Sequence, residues 1–244
     1  MRHRLVASAA ALLGSAATLG AQATSSPSAQ AGFIAVIVTP VGALPEVVLA
    51  RRTLDSSSRA ALALRYGRYT FANGPGTFNN LGLSGMLKLG RRVVASATVG
   101  QRTCEVCEGL KMAGLDLSAS LYHKAASGDI GGDTDIGLRI SGGYGKADQS
   151  DIKARSFAVG LPLAVSVLQA ENSLLTLFIS PSLANGTLTT NGVEDGAPRF
   201  MISAGLGYAF AFGLGVHASA HRIAIEESPT QFGFAMSWRF GGKR

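Results

Sequence analysis

Residues 231–240, QFGFAMSWRF, set Phe232, Phe234, Met236, Trp238 and Phe240 on one face of an extended chain and Gln231, Gly233, Ala235, Ser237 and Arg239 on the other. Successive side chains of a strand point to opposite sides, so a period of two is the signature of a β-strand. One face is large and apolar throughout; the other is small or polar. A soluble sandwich strand seldom carries five large apolar side chains on one face beside a chain terminus. A strand with lipid on one side and a narrow polar lumen on the other requires this division.

The same alternation recurs nine times upstream. Expected strands at 60–70, 80–89, 92–101, 110–122, 134–146, 154–169, 173–184, 199–211 and 214–225 join 231–240 to make ten. Their apolar sets, such as Leu62, Leu64 and Tyr66 or Leu115, Leu117 and Leu121, oppose Gly, Ser, Thr and a few charges. Ten is even, and each segment is near the 9–11 residues with which a tilted strand crosses a bilayer. The expected fold is therefore all-β, a transmembrane up-and-down antiparallel β-barrel over residues 59–240. Short connections at 90–91, 170–172 and 211–213, with a looser one at 124–133, alternate with longer polar ones at 71–79, 102–109, 147–152 and 185–198. That asymmetry places both termini in the periplasm. The competing form is a soluble sandwich, but ten consecutive strands with a lipid-like face exceed what one sandwich core buries.

Residues Gln231, Gly233, Met236 and Trp238, followed by Phe240, also supply a polar residue, a glycine, a hydrophobic residue and an aromatic at fixed spacing. In this the stretch resembles the C-terminal assembly signal of bacterial outer-membrane β-barrels. The resemblance implies the outer membrane of a Gram-negative-type envelope, with the barrel-assembly machinery and outer-membrane lipid as partners. Members of that family usually end at the final aromatic, whereas a basic tail, 241–244, follows Phe240 here.

The start of the chain agrees with export. Arg2, His3 and Arg4 precede an apolar run, 5–19, and a small-x-small site at Ala21-Gln22-Ala23, the parts of a signal peptide over 1–23 cleaved near Ala23. The run is shorter than the roughly 20 apolar residues of a membrane span. Cleavage would remove Arg2 and Arg4 and leave 20 basic against 15 acidic residues, +5. No clustered Lys/Arg run or aromatic platform accompanies this charge, so no nucleic-acid partner is expected and anionic lipid headgroups are the more plausible counter-charge. With 31 glycines and only 15% charged residues, the composition suits a lumen lined by small side chains. Residues 24–58 read as a linker and periplasmic arm. The alternative is an extra hairpin over 33–54, which would make twelve strands.

Candidate chemistry is sparse. Arg65, Lys88, Arg139, His217, His221 and Arg239 point inward with Asp116, and counting back from the 124–133 turn sets Asp116 near Ser141 and diagonal to Arg139, within reach of an ion pair. His217 and His221 are about 13 Å apart on a strand and cannot chelate one ion. Cys104 and Cys107 sit in an expected hairpin tip, where an exported chain favours a local disulfide over a redox pair or a zinc site. Asp129, Asp133 and Asp135 are interleaved with glycine as in flexible calcium sites, but such segments are more often plain turns. No metal, no cofactor and no enzyme are expected. Ten-stranded omptin-like surface proteases resemble the chain in strand count alone, and neither an Asp-x-His nor a G-x-S-x-G occurs. The expected role is structural or surface-binding, carried by extracellular loops that meet an extracellular ligand. The alternative is a narrow, weakly anion-selective channel or a transporter of a small anionic solute.

Overall fold

The computed structural model describes residues 59–70, 77–104, 109–124, 133–168, 173–224 and 230–240. The expectations for the signal peptide, the 24–58 arm or hairpin, Cys107, Asp129 and the basic tail lie outside these residues. The described chain is β throughout: β1 (Ala60–Thr70), β2 (Thr77–Lys88), β3 (Val93–Cys104), β4 (Leu110–Lys124), β5 (Asp133–Ala147), β6 (Lys153–Gly160), β7 (Leu163–Leu168), β8 (Leu174–Thr190), β9 (Val193–Ala209), β10 (Leu214–Ile223) and β11 (Gln231–Phe240).

Apart from β6 and β7, which each pair with β5 and β8 and not with one another, each strand pairs antiparallel with its chain neighbours, and β1 closes the cylinder on β11 through a ladder from Ala60↔Phe240 to Arg68↔Phe232. Closure leaves no unpaired edge, the condition for a β-structure in lipid, where water cannot satisfy free N–H and C=O groups. β6 and β7 both lie between β5 and β8 and are two pieces of one stave, so the described barrel has ten staves. The even number brings Ala60 and Phe240 together at one end, the terminal end; the β3–β4, β5–β6 and β8–β9 connections lie at the far end.

Besides strand ends that extend into expected loops at Thr77 and Cys104, two stretches differ from the sequence expectation. The stave expected to run unbroken over 154–169 is interrupted at Leu161 and Pro162. Pro162 has no N–H to give the ladder, and Leu161 N reaches the carbonyl of a second proline, Pro181 on β8, at 2.9 Å. Two missing donors thus meet at one break. The segment 185–198, expected as a long polar loop, is instead a ribbon. β8 and β9 run 17 residues each and turn on Asn191 and Gly192 alone, with φ of 52° and 79°. Positive φ at both central residues is the two-residue hairpin turn whose twist matches the strands. Above the bilayer such a ribbon needs no apolar face, so its polar composition imitated a loop.

The barrel is inverted relative to a soluble protein. Leu115, Leu183 and Phe212 are 71%, 66% and 65% exposed on its outside. The inward positions are mostly Ser, Ala, Gly and Thr, with Ser84 and Ser118 fully enclosed. Tyr208, Phe210, Phe212 and Trp238 follow one another at the terminal rim with ring centroids 4.8 to 6.2 Å apart, as in an interfacial aromatic girdle. A face of this size, apolar around the whole cylinder, has lipid as its counterpart; the fold is that of an outer-membrane-type β-barrel.

Candidate functional site

The lumen is layered. At the terminal end Ala61, Ala63, Met86 and Val94 pack as an apolar cluster; at the far end Leu110, Met112, Ala147 and Ala154 form another, with Ile152 and Leu188 against it. Between them the wall is polar. Small side chains on most staves leave room for a few long ones to cross, which suits a ten-stave barrel only slightly wider than the eight-stave kind that its own side chains fill.

The middle layer centres on Asp116, which β4 sets opposite Ser141 and one diagonal step from Arg139 on β5. Arg139 Nε donates to Asp116 Oδ2, and Ser118 Oγ donates to Asp116 Oδ1 at 2.8 Å. Arg65 on β1 lies within electrostatic range of both Asp116 and Arg139. All three charged residues are less than a tenth exposed. Charges taken out of water on this scale need close opposite partners, which makes Asp116 and Arg139 one pair, with Arg65 in its electrostatic field.

A second group stands on β10 and β11. His217 Nε2 is 3.0 Å from Ser237 Oγ, and His221 lies between Ser203 Oγ, 2.7 Å from Nδ1, and Ser219 Oγ, 2.9 Å from Nε2. The two imidazoles therefore serve different serines and share no ligand. Gly233 makes this packing possible: a Cβ there would come 2.8 Å from Ser219 Oγ and 3.6 Å from His221 Nε2. Gln231 is buried on the same inward face, while Met236, Trp238 and Phe240 are exposed on the lipid side.

Lys88 and Arg239 share the inward parity but are only half-buried, near the terminal rim. Arg239 Nη2 donates to the Phe210 carbonyl at 2.8 Å and so ties β11 to the β9–β10 turn. Four lumen residues, Arg102, Phe78, Tyr69 and Asp135, escaped the sequence reading. Arg102, expected in a loop, is buried on β3 with its guanidinium carbon 4.6 Å from the centroid of the Phe78 ring, and Tyr69 stacks on Phe78 at 4.8 Å and 9°. Continuing the alternation Ser96, Thr98, Gly100 by one step points to Arg102. Asp135, grouped with Asp129 and Asp133 in the sequence, is buried in the wall with His123 Nδ1 3.0 Å away. Among the described residues no cluster of three metal-ligating side chains forms.

A cavity of about 40 Å³ is bordered by Arg65, Asn80, Thr98, Met112, His221 and Gln231. That is room for a few water molecules and not for a solute in transit.

No protein-family model matches the chain, and no curated protein does. Among solved structures it is similar to the translocator domain of the autotransporter NalP from Neisseria meningitidis, with 13% identity, 80% of this chain and 94% of that one covered, and a TM-score of 0.40. It is also similar to the β domain of the Bordetella autotransporter BrkA (16%, 76% and 100%, 0.39) and to the transport unit of the autotransporter AIDA-I from Escherichia coli (9%, 88% and 99%, 0.35).

Proposed function

We propose that the chain is an outer-membrane β-barrel with a closed lumen, and that its working surface is the exterior and the far-end connections: a structural or surface-binding protein. The observation that carries this reading is the buried Asp116–Arg139–Arg65 unit between two apolar clusters. A conducting pore keeps its charges hydrated along a continuous path. Here Asp116 is engaged by Arg139 and Ser118, and the two histidines by wall serines. An enzymatic lumen is disfavoured on similar grounds, since both nitrogens of His221 are engaged by serine hydroxyls.

The excess of inward cations supports a second reading, a narrow anion-selective channel. Conductance of the purified protein in a planar bilayer separates the two. Silence is the expected result; steady single-channel steps with anion preference would overturn the closed form.

A further inference from the structure

The outside of the barrel is not uniform at its far end. β4, β5 and β6 bring Lys111, Lys146 and Lys153 side by side in one row, Lys111↔Lys146↔Lys153. The next outward row, two residues nearer the bilayer centre, is Ala113↔Tyr144↔Arg155, and the one after it is Leu115↔Gly142↔Phe157. Four cations thus stand on the lipid-facing side of three adjacent staves, directly above exposed Leu115 and Phe157. Ala113 carries only a methyl and Gly142 no side chain, which leaves a furrow between the larger side chains around them.

Like charges directly opposite on neighbouring strands are destabilising, so this row is unfavourable by itself. Two carboxylates from the β5–β6 connection relieve part of it: Asp148 Oδ1 lies 3.0 Å from Lys111 Nζ, and Asp151 Oδ1 2.8 Å from Lys153 Nζ. The Lys153 ammonium, which hydrogen-bonds Asp151, holds that carboxyl below the usual carboxylate range. Both acids are on the water side of the row. Four cations against two carboxylates leave the patch positive, with Lys146 in its middle and Arg155 below, where a membrane has its headgroups.

We infer that the β4–β5–β6 face is a docking site for a phosphate-bearing lipid headgroup, with Lys146 and Arg155 on the phosphates, Tyr144 on the headgroup and the furrow beneath taking an acyl chain. The occupant is a lipid of the leaflet that the far end meets, not free phosphate. The site rests on the membrane-barrel reading of the fold. Cations at this depth cost little, and each near an anionic surface strengthens binding roughly fivefold.

The test refolds the full chain into phosphatidylcholine vesicles doped with increasing diphosphorylated lipid A and follows the melting of the heat-modifiable folded band. For the native chain, lipid A should raise the melting temperature. For Lys111→Gln/Lys146→Gln/Arg155→Gln, the lipid A fraction giving half of that rise should increase on the order of a hundredfold. Arg68→Gln/Arg222→Gln, which removes the exposed far-end cations on β1 and β10, should leave it within a few-fold. Should the triple variant not fold, Lys146→Gln alone should shift the half-point roughly fivefold. An unshifted half-point, an equal loss in the Arg68/Arg222 variant, or equal protection by inorganic phosphate in plain vesicles would each overturn the site. A native chain giving no folded band in phosphatidylcholine alone would overturn the membrane reading itself.

Discussion

At the scale of single residues, the lumen turns on Asp116. Its carboxylate is the anion that pairs buried Arg139 and stands within electrostatic range of buried Arg65 at mid-lumen. Removing one member of a buried pair strands the other, at about 3–5 kcal/mol. Asp116→Asn should therefore lower stability in urea by about 3 kcal/mol, and adding Arg139→Gln should recover part of the loss. Strictly additive effects in the double-mutant cycle would show that the two do not interact. This contact was legible in the sequence because both residues share the inward parity and a short count from the turn brings them within reach. The device that makes the count work was not legible. A bulge between Ser120 and Tyr122 shifts the β4–β5 register by one, with Leu121 and Tyr122 both exposed; without it Asp116 would oppose Gly142 on the lipid side. A bulge carries no residue signature here, only the requirement that faces match.

At the scale of the element, alternation located every stave, and what it could not give was where pairing continues beyond the apolar band. The β8–β9 ribbon is held by Asn191 and Gly192, and a Cβ on Gly192 would meet nothing within 4 Å. The cost of Gly192→Ala is therefore conformational, about 1 kcal/mol for an L-residue at positive φ, readable as a drop in the unfolding midpoint. Asn191→Gly should be nearly neutral. Equal losses in both would mean that side-chain contacts, not φ, hold the turn. β11 allows a depth test of the lipid face. Met236, midway along the strand, and Phe240, at the terminal rim, are both outward and exposed. Met236→Lys should cost about 2–4 kcal/mol and Phe240→Lys no more than about 1 kcal/mol. Refolding into vesicles checks this, and comparable folded fractions at both positions would mean that β11 does not cross the hydrocarbon.

At the scale of the whole molecule, the proposed closed lumen raises the question of what would keep a ten-stave cylinder shut. The polar unit at mid-lumen sits between two apolar clusters, so the proposed closure has three layers in series, and on that reading a path opens only when all three yield. Arg65→Ala removes the longest mid-lumen side chain of β1 but leaves Met86 in the terminal-end cluster and Met112 in the far-end one. That variant should be less stable yet still silent in a planar bilayer. Trimming each layer together, as Met86→Ala/Arg65→Ala/Met112→Ala, joins the enlarged spaces end to end and should give steady conductance steps. Arg139 and Arg102 remain beside the path, so anions should be preferred, and preference should weaken as salt screens the field. Steps from Arg65→Ala alone would show that the apolar clusters do not seal the ends, and that the mid-lumen charges are the gate.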